Sequence, residues 1–281
     1  MKSEIYNKNM SINCKGKLID LSTPKVMGIL NITPDSFYDG GQFQVPKSIL
    51  LQVEKLLTQG ATFVDIGAYS SRPGADFVSE DDELNRIVPI VELVMKDFPE
   101  CLISIDSFRS KVIRECALAG AVISNDISAG FLDSEMMKTV GELGLPYIMM
   151  HMRGTPQTMQ KNTSYDHLVN DVYAYFTERI RSAQNHNIMD LIIDLGFGFA
   201  KTTTQNYELL GQMDFFQNLN RPILTGVSRK SMIYKVLDCS PKDALNGTTA
   251  LNMAALLNGS KILRVHDVKE AMECVKLFNQ L

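Results

Sequence analysis

An alternation constrains this chain more than any other feature. Short apolar, β-branched runs recur with longer stretches of helical spacing between them. The runs are 26–31 (VMGILN), 63–67 (FVDIG), 102–106 (LISID), 122–126 (VISND), 147–151 (YIMMH), 191–194 (LIID), 223–226 (ILTG) and 262–265 (ILRV). Between them, apolar residues fall three and four apart, as at Ile49-Leu50-Val53-Leu56-Leu57, Ile87-Ile90-Val91-Val94 and Val112-Ile113-Cys116. The runs are continuous rather than alternating, the pattern of strands covered on both faces by helices. Eight βα units in roughly 250 residues predict an α/β fold of the (β/α)8 barrel type. A doubly wound open sheet is the alternative, because periodicity does not show whether a sheet closes. No repeat, low-complexity tract or long Pro/Ser/Gly linker divides the chain. The reading is one barrel domain over 26–281, preceded by an N-terminal extension, 1–25.

Composition narrows the function classes. With 281 residues, 45% of them hydrophobic, the chain buries a large core without disulfide or metal staples. Its 28 basic and 32 acidic side chains leave a formal charge of −4, which gives no reason to expect a nucleic-acid partner. The five cysteines are scattered and never form a C-x-x-C pair, so a disulfide framework and a zinc ribbon are disfavoured and a reducing cytoplasm fits. Residues 1–17 contain no apolar signal-peptide core, and no segment reaches the length of a membrane span. A soluble, unprocessed cytoplasmic protein with no membrane partner is expected.

In a barrel of this kind chemistry gathers where strands end and βα loops begin. The polar residues fall there: Asn31, Asp65, Asp106, Asn125, Asp126, His151 and Asp194 lie at or near the ends of their runs. Ser228-Arg229-Lys230 and Arg264-Val265-His266 belong to the last two. Asp106-Ser107 reads equally well as a helix cap, whereas Asp194 precedes LGFGF, too glycine-rich for an immediate cap. Neighbouring residues of a strand point opposite ways, so only one of Asn125 and Asp126 faces the interior, and Asn125 is assigned there. Arg229 and Lys230 read either as solvated cations or as partners of an anion at a helix start. His151 has no assigned role, and Met149, Met150 and Met152 read as packing.

The exclusions are as informative. There is no zinc-ligand spacing, P-loop or G-x-S-x-G elbow, and Gly196-Phe197-Gly198 lacks the third glycine of a dinucleotide fingerprint. A protein nucleophile is therefore not expected. Carboxylates and an amide at strand ends suit a ligand edge bearing parallel N–H donors, and arginine, histidine and helix N-termini suit a diphosphate. Together they describe a two-part ligand, a polar heterocycle carrying a diphosphate.

The blocks ILNITPDSFYDGG (29–41), DIGAYSSRPGA (65–75), SIDSF (104–108), SNDISAG (124–130), MHMRGTP (150–156), DLGFGFAKT (194–202), GVSRKSM (226–232) and RVHDV (264–268) resemble the pterin-binding (β/α)8 family, specifically its dihydropteroate synthases. The resemblance runs in order over nearly the whole chain. It implies condensation of (7,8-dihydropterin-6-yl)methyl diphosphate with 4-aminobenzoate, giving 7,8-dihydropteroate and diphosphate in folate biosynthesis. It further implies that Asp106, Asn125, Asp194 and Lys230 hold the pterin, that Arg72, Arg264 and His266 bind the diphosphate, and that Asn31 helps place Mg²⁺ on it. Ser71, Pro73, Phe199 and Ser231 would shape the aminobenzoate site, and Asp35 and Asp39 would belong to a loop that closes over the reactants. Relatives of this kind imply a homodimer.

The chain departs from the family pattern at Ala68, Tyr69 and Ser71 in the second loop, at Arg153, where Gln is frequent, and at Leu195 and Ala200, where Pro and Gly are usual. These departures bear on sulfonamide response and loop behaviour more than on the reaction. Two rivals stand against this reading. A methyltetrahydrofolate:corrinoid methyltransferase should lack the TPDSF loop and the SRKS and RVHDV anion sites, all present here, and a non-catalytic pterin-binding paralogue should have lost competent residues.

Overall fold

A computed structural model describes residues 10–32, 44–69 and 78–281. Its framework is a closed barrel of eight strands: β3 (Lys25–Asn31), β4 (Phe63–Gly67), β5 (Leu102–Asp106), β6 (Ile123–Asp126), β7 (Tyr147–Met150), β8 (Leu191–Asp194), β9 (Ile223–Thr225) and β10 (Ser260–Val265). All neighbouring pairs are parallel, and β10 closes the ring on β3 with Arg264 opposite Met27. Each expected run is a strand to within about two residues, the normal uncertainty of strand and helix ends. The closed barrel, not the open sheet, is what the chain forms.

The helices wrap the outside: α1 (Gln44–Thr58), α2 (Glu80–Asp97), α3 (Ser110–Leu118), α4 (Met136–Leu143), α5 (Leu168–Asn185), α6 (Thr203–Gly211), the short α7 (Ser231–Tyr234), α8 (Leu245–Leu257) and α9 (Val268–Phe278). Their ends are encoded locally. Ser79 caps α2, accepting from the Asp82 N–H, ahead of a first turn carrying Glu80, Asp81, Asp82 and Glu83 that complements the helix dipole. Thr202 and Gln205 form a reciprocal capping box on α6. Val53, Leu56, Ile87, Val91, Val94, Val112 and Cys116 are buried against the outward-facing strand residues, as their spacing predicts.

Preceding the barrel, β1 (Ser11–Cys14) and β2 (Lys17–Asp20) pair antiparallel around a two-residue turn. Lys15 and Gly16 both have positive φ, 49° and 92°, the type I′ geometry whose twist suits a tight hairpin. Ile12, Cys14, Ile19 and Leu21 from this segment pack against one interior residue from every barrel strand: Met27, Phe63, Leu102, Ile123, Ile148, Ile192, Leu224 and Ile262. The hairpin seals the floor of the barrel with apolar side chains. The opposite, C-terminal end is where polar groups enter.

Candidate active site

The site follows from the period-two alternation of a strand. Phe63, Ile123, Ile192 and Ile262 contribute to the apolar floor from alternate strands. Two residues further along the same strands, on the same interior face, stand Asp65, Asn125, Asp194 and Arg264. Barrel interiors are filled in layers of four from alternate strands. Here one such layer is wholly polar. Asp65 is fully buried and accepts from the Arg264 Nε at 2.6 Å and from the Asn125 Nδ2 at 3.1 Å. The Arg264 Nη2 reaches Asp106 Oδ2 at 2.7 Å, so one guanidinium joins carboxylates of two adjacent strands. Asn125 faces inward as expected. Asp126 faces the other way, where Tyr147 Oη donates to it at 2.6 Å, Ser128 Oγ at 2.8 Å and the Gly130 N–H at 2.7 Å.

Neither strand-end carboxylate serves merely as a cap. The N-cap of α3 is Arg109, and the Ser110 N–H is taken by Asp133, leaving Asp106 to the barrel mouth. Asp194 accepts from the Gly196 N–H at 2.8 Å and so turns the loop after β8. Lys230, at the start of α7, donates to the Phe197 carbonyl at 2.6 Å and lies 4.9 Å from the centre of the Phe199 ring. Its neighbour Arg229 is different. It forms a two-point ion pair with Asp267, 2.8 and 2.9 Å, and donates to the carbonyls of Pro241 and Lys242, joining loops rather than offering an anion site.

Burial sets the electrostatics. It pushes Asp106 up to about 7, with Arg264 opposing and Asp65 reinforcing. It raises Asp194 against the pull of Lys230, and lowers Lys230 to about 8 against the pull of Asp194. Burial works on Arg264 too, but the Asp65 and Asp106 carboxylates outweigh it and hold the guanidinium firmly charged.

The remaining assigned residues border this cluster. Ser231 opens α7. His266 follows β10, its Nδ1 3.0 Å from Ser228 Oγ, which also accepts the His266 backbone N–H at 3.2 Å. Asn31 ends β3, exposed at the rim. Phe199 packs on a rim cluster of Ile127, Met150, Met152, Met159 and Ala200, so these methionines are packing, as expected. Asp35, Asp39, Ser71, Arg72 and Pro73 lie outside the described residues.

Two participants were not singled out from sequence. Asp65 was visible only as one more polar residue in a strand, and its partner is 199 positions away. Lys201 is buried beside His151, its Nζ 2.9 Å from Nδ1. Of the departures, Arg153 pairs with Asp171 at 3.1 Å and lies 3.8 Å from the Tyr165 ring centre, bracing the loop before α5. Tyr69 stacks edge-on with Phe108 and accepts from Gln157 Nε2 at 2.8 Å. Leu195 is core, and Ala200 holds φ of 50°, a left-handed conformation that explains why glycine suits the position.

Among the described residues no group of three or more His, Cys, Asp or Glu forms a metal cluster, and no helix is long and apolar enough to cross a membrane. A family model described as pterin binding enzyme matches residues 27–266. The dihydropteroate synthase of Haemophilus influenzae is 45% identical over 271 residues, spanning 96% of this chain and 98% of that protein. That of Escherichia coli strain K12 is 42% identical over 95% of each. A solved Yersinia pestis dihydropteroate synthase in complex with a sulfonamide drug matches with a TM-score of 0.90 at 39% identity, over 96% of this chain and 98% of that one. A Xanthomonas albilineans dihydropteroate synthase solved with 4-aminobenzoic acid matches with a TM-score of 0.89 at 33% identity, over 97% and 98%.

Proposed function

Because this chain belongs to the pterin-binding enzyme family and, within it, to the dihydropteroate synthases, we propose that the polar layer at the mouth of its barrel is where the pterin diphosphate is held for attack by 4-aminobenzoate. The enzyme is a transferase of folate synthesis. One observation carries the placement: Asp65, Asn125, Asp194 and Arg264 form a buried polar layer directly above an apolar floor, with Asp106 and Lys230 at its edge.

Asp106, Asn125 and Asp194 face a flat heterocycle as acceptors for its ring N–H and amino donors, with Lys230 donating to its acceptor atoms. Every donor or acceptor left unmatched in so buried a place carries a desolvation penalty of about 1–3 kcal/mol, which is how the site selects this ring. Asp65 holds Arg264 and Asn125 in register. Arg264, from within the layer, and His266, beyond the end of β10, would receive the diphosphate, and Arg72 joins them by resemblance. The methylene C–O bond breaks, and diphosphate departs with the bonding pair. The electron-rich ring shares the positive charge, the aniline nitrogen forms the new C–N bond, and the amine loses a proton. No protein nucleophile takes part, which agrees with the motifs the sequence lacks. The residues need only orient the reactants, stabilise the leaving group and exclude water. Phe199 and Ser231 border the space on the Lys230 side, where the second substrate would lie, with Ser71 and Pro73 added by resemblance. Asp35 and Asp39 would contribute from the first loop.

The donor chemistry fits Mg²⁺. Asn31 offers a hard amide oxygen at the rim, and Mg²⁺ is a hard cation that takes oxygen ligands, keeps several waters and draws on substrate phosphates for much of its coordination. When bound it would neutralise charge on the departing diphosphate. A reducing cytoplasm is the setting that fits five free cysteines, and a homodimer is the assembly the resemblance implies. The direct test measures dihydropteroate formed from the two substrates, with Mg²⁺ and after chelation. Product formation that requires both substrates and the metal is the expected result, and a purified, folded protein that makes none overturns the placement.

A further inference from the structure

Lys201 is 4% exposed, and none of its hydrogen-bond partners is a carboxylate. Its three N–H donors go to His151 Nδ1 at 2.9 Å and to the carbonyls of Gly196 and Phe199, both at 3.1 Å. Burial lowers Lys201 to about 7 against the pull of Asp194; in its charged form it is donor-only, so Nδ1 then accepts and the neutral His151 ring carries its proton on Nε2. Burial and the adjacent Lys201 charge keep His151 well below its usual pKa, in agreement.

The geometry of the loop after β8 depends on this one nitrogen. Gly196 sends its N–H to Asp194 Oδ1 at 2.8 Å and its carbonyl to Lys201, so the residue is fixed from both sides. The carbonyls of 196 and 199 turn toward Lys201, while that of Phe197 turns to Lys230 Nζ at 2.6 Å. Gly196 has φ of 69°, and a Cβ there would lie 2.1 Å from the His151 carbonyl oxygen, so the loop rests directly on the end of β7. One nitrogen with three divergent donors meets all three acceptors at once, which no single neutral side chain of this reach does, and its charge also favours the ionised form of the neighbouring Asp194.

We propose that Lys201, seated on His151, is a positioning residue for the pterin pocket, holding residues 195–200 in the shape that aims Asp194, Lys230 and the Phe199 ring at the ligand. The inference rests on the reading that Asp194 and Lys230 hold the pterin. Neither Lys201 nor His151 touches the reactants, so their loss acts on the pocket's shape rather than on bond making.

Steady-state kinetics on the full chain with Mg²⁺ present test it, with thermal unfolding as the check on folding. Lys201→Met keeps the stem and removes all three donors. The expected result is a KM for pterin diphosphate raised at least about tenfold with kcat within about threefold of wild type, the signature of lost binding rather than lost chemistry. His151→Asn retains an acceptor near the Nδ1 position and should stay close to wild type, whereas His151→Leu should follow Lys201→Met. A folded Lys201→Met enzyme with the wild-type KM overturns the inference. Should that variant fail to fold, the His151 pair decides, and a wild-type KM in folded His151→Leu overturns it equally. Asp194→Ala separates the two levels. If it leaves pterin KM unchanged, the pocket reading itself fails, and if it raises KM while Lys201→Met and His151→Leu do not, only the role given to Lys201 fails.

Discussion

Gly226 allows binding and folding to be separated by a single methyl group. It is buried just after β9, and its backbone lies outside the left-handed region, so alanine is conformationally permitted. A Cβ built there would stand 3.8 Å from Lys230 Nζ, 3.9 Å from Arg264 Cβ and 4.0 Å from Asp194 Oδ2, all ordinary contacts. In the free protein Gly226→Ala should therefore be neutral or stabilising. Restricting the unfolded chain contributes about 0.4–1 kcal/mol where the conformation is compatible, or about 1–4 °C in Tm for a chain of this size. The methyl would nevertheless occupy the space flanked by Asp194 and Lys230, the two groups proposed to hold the pterin there, and by Arg264, and an extra carbon forced into a filled site costs about 1–3 kcal/mol. Titration calorimetry with pterin diphosphate should show affinity lowered by roughly 5- to 150-fold at unchanged or higher Tm. Wild-type affinity in the folded variant would mean that the ring does not sit against Gly226, and the site as described would be wrong.

Two further outcomes follow from the same cluster. On the proposed placement the pterin needs Asp106 as an acceptor and Lys230 as a donor, so kcat/KM for pterin diphosphate should fall below pH about 7 as Asp106 takes up a proton and above about 8 as Lys230 gives one up; Asp106→Asn should lose the acid limb, and an unchanged limb in that variant rules Asp106 out as its source. Arg264 supplies the shared counter-charge of Asp65 and Asp106, so Arg264→Ala should lower stability by about 3–5 kcal/mol and weaken even a pterin that lacks the diphosphate; a loss confined to the diphosphate-bearing ligand, at wild-type Tm, would show that the guanidinium serves the leaving group alone.

The strands were legible because each is a short apolar run covered on both faces, a pattern that survives without knowledge of its neighbours. Closure was not, since it rests on β10 meeting β3, more than two hundred positions apart in sequence. The floor hairpin was not decided by the sequence, for a different reason. Its apolar residues Ile12, Cys14, Ile19 and Leu21 do alternate, but the turn is Lys15-Gly16 rather than the Asn-Gly that signals a type I′ hairpin most strongly. At the site, residue type at a strand end disclosed Asp106, Asn125 and Asp194. It could not disclose which cation met which carboxylate. Arg264 was grouped by sequence with the mouth, yet its guanidinium lies on Asp65 and Asp106, because a buried carboxylate takes the nearest fixed donor. Lys201 carried no signal beyond being a lysine after a glycine-rich loop.

The orientation of the substrate can be argued from charge and solvation. Asp65, Asp106 and Asp194 face Arg264 and Lys230, with Lys201 behind Asp194, so three carboxylates meet three cations and the interior holds no surplus positive charge for an anion when all are ionised. A neutral ring with an edge of N–H donors lowers its energy there by replacing water as the partner of the carboxylate oxygens. A diphosphate would exchange its water for a poorly screened space whose cations are already paired, a large desolvation cost. The floor sealed by the hairpin closes the other end, so the ligand has one way in. Heterocycle inward and diphosphate outward is the arrangement that satisfies both halves. On that arrangement the scissile methylene would lie at the rim, near His266 and Asn31, where the expelled anion would meet polar side chains and solvent while the ring it leaves would stay buried.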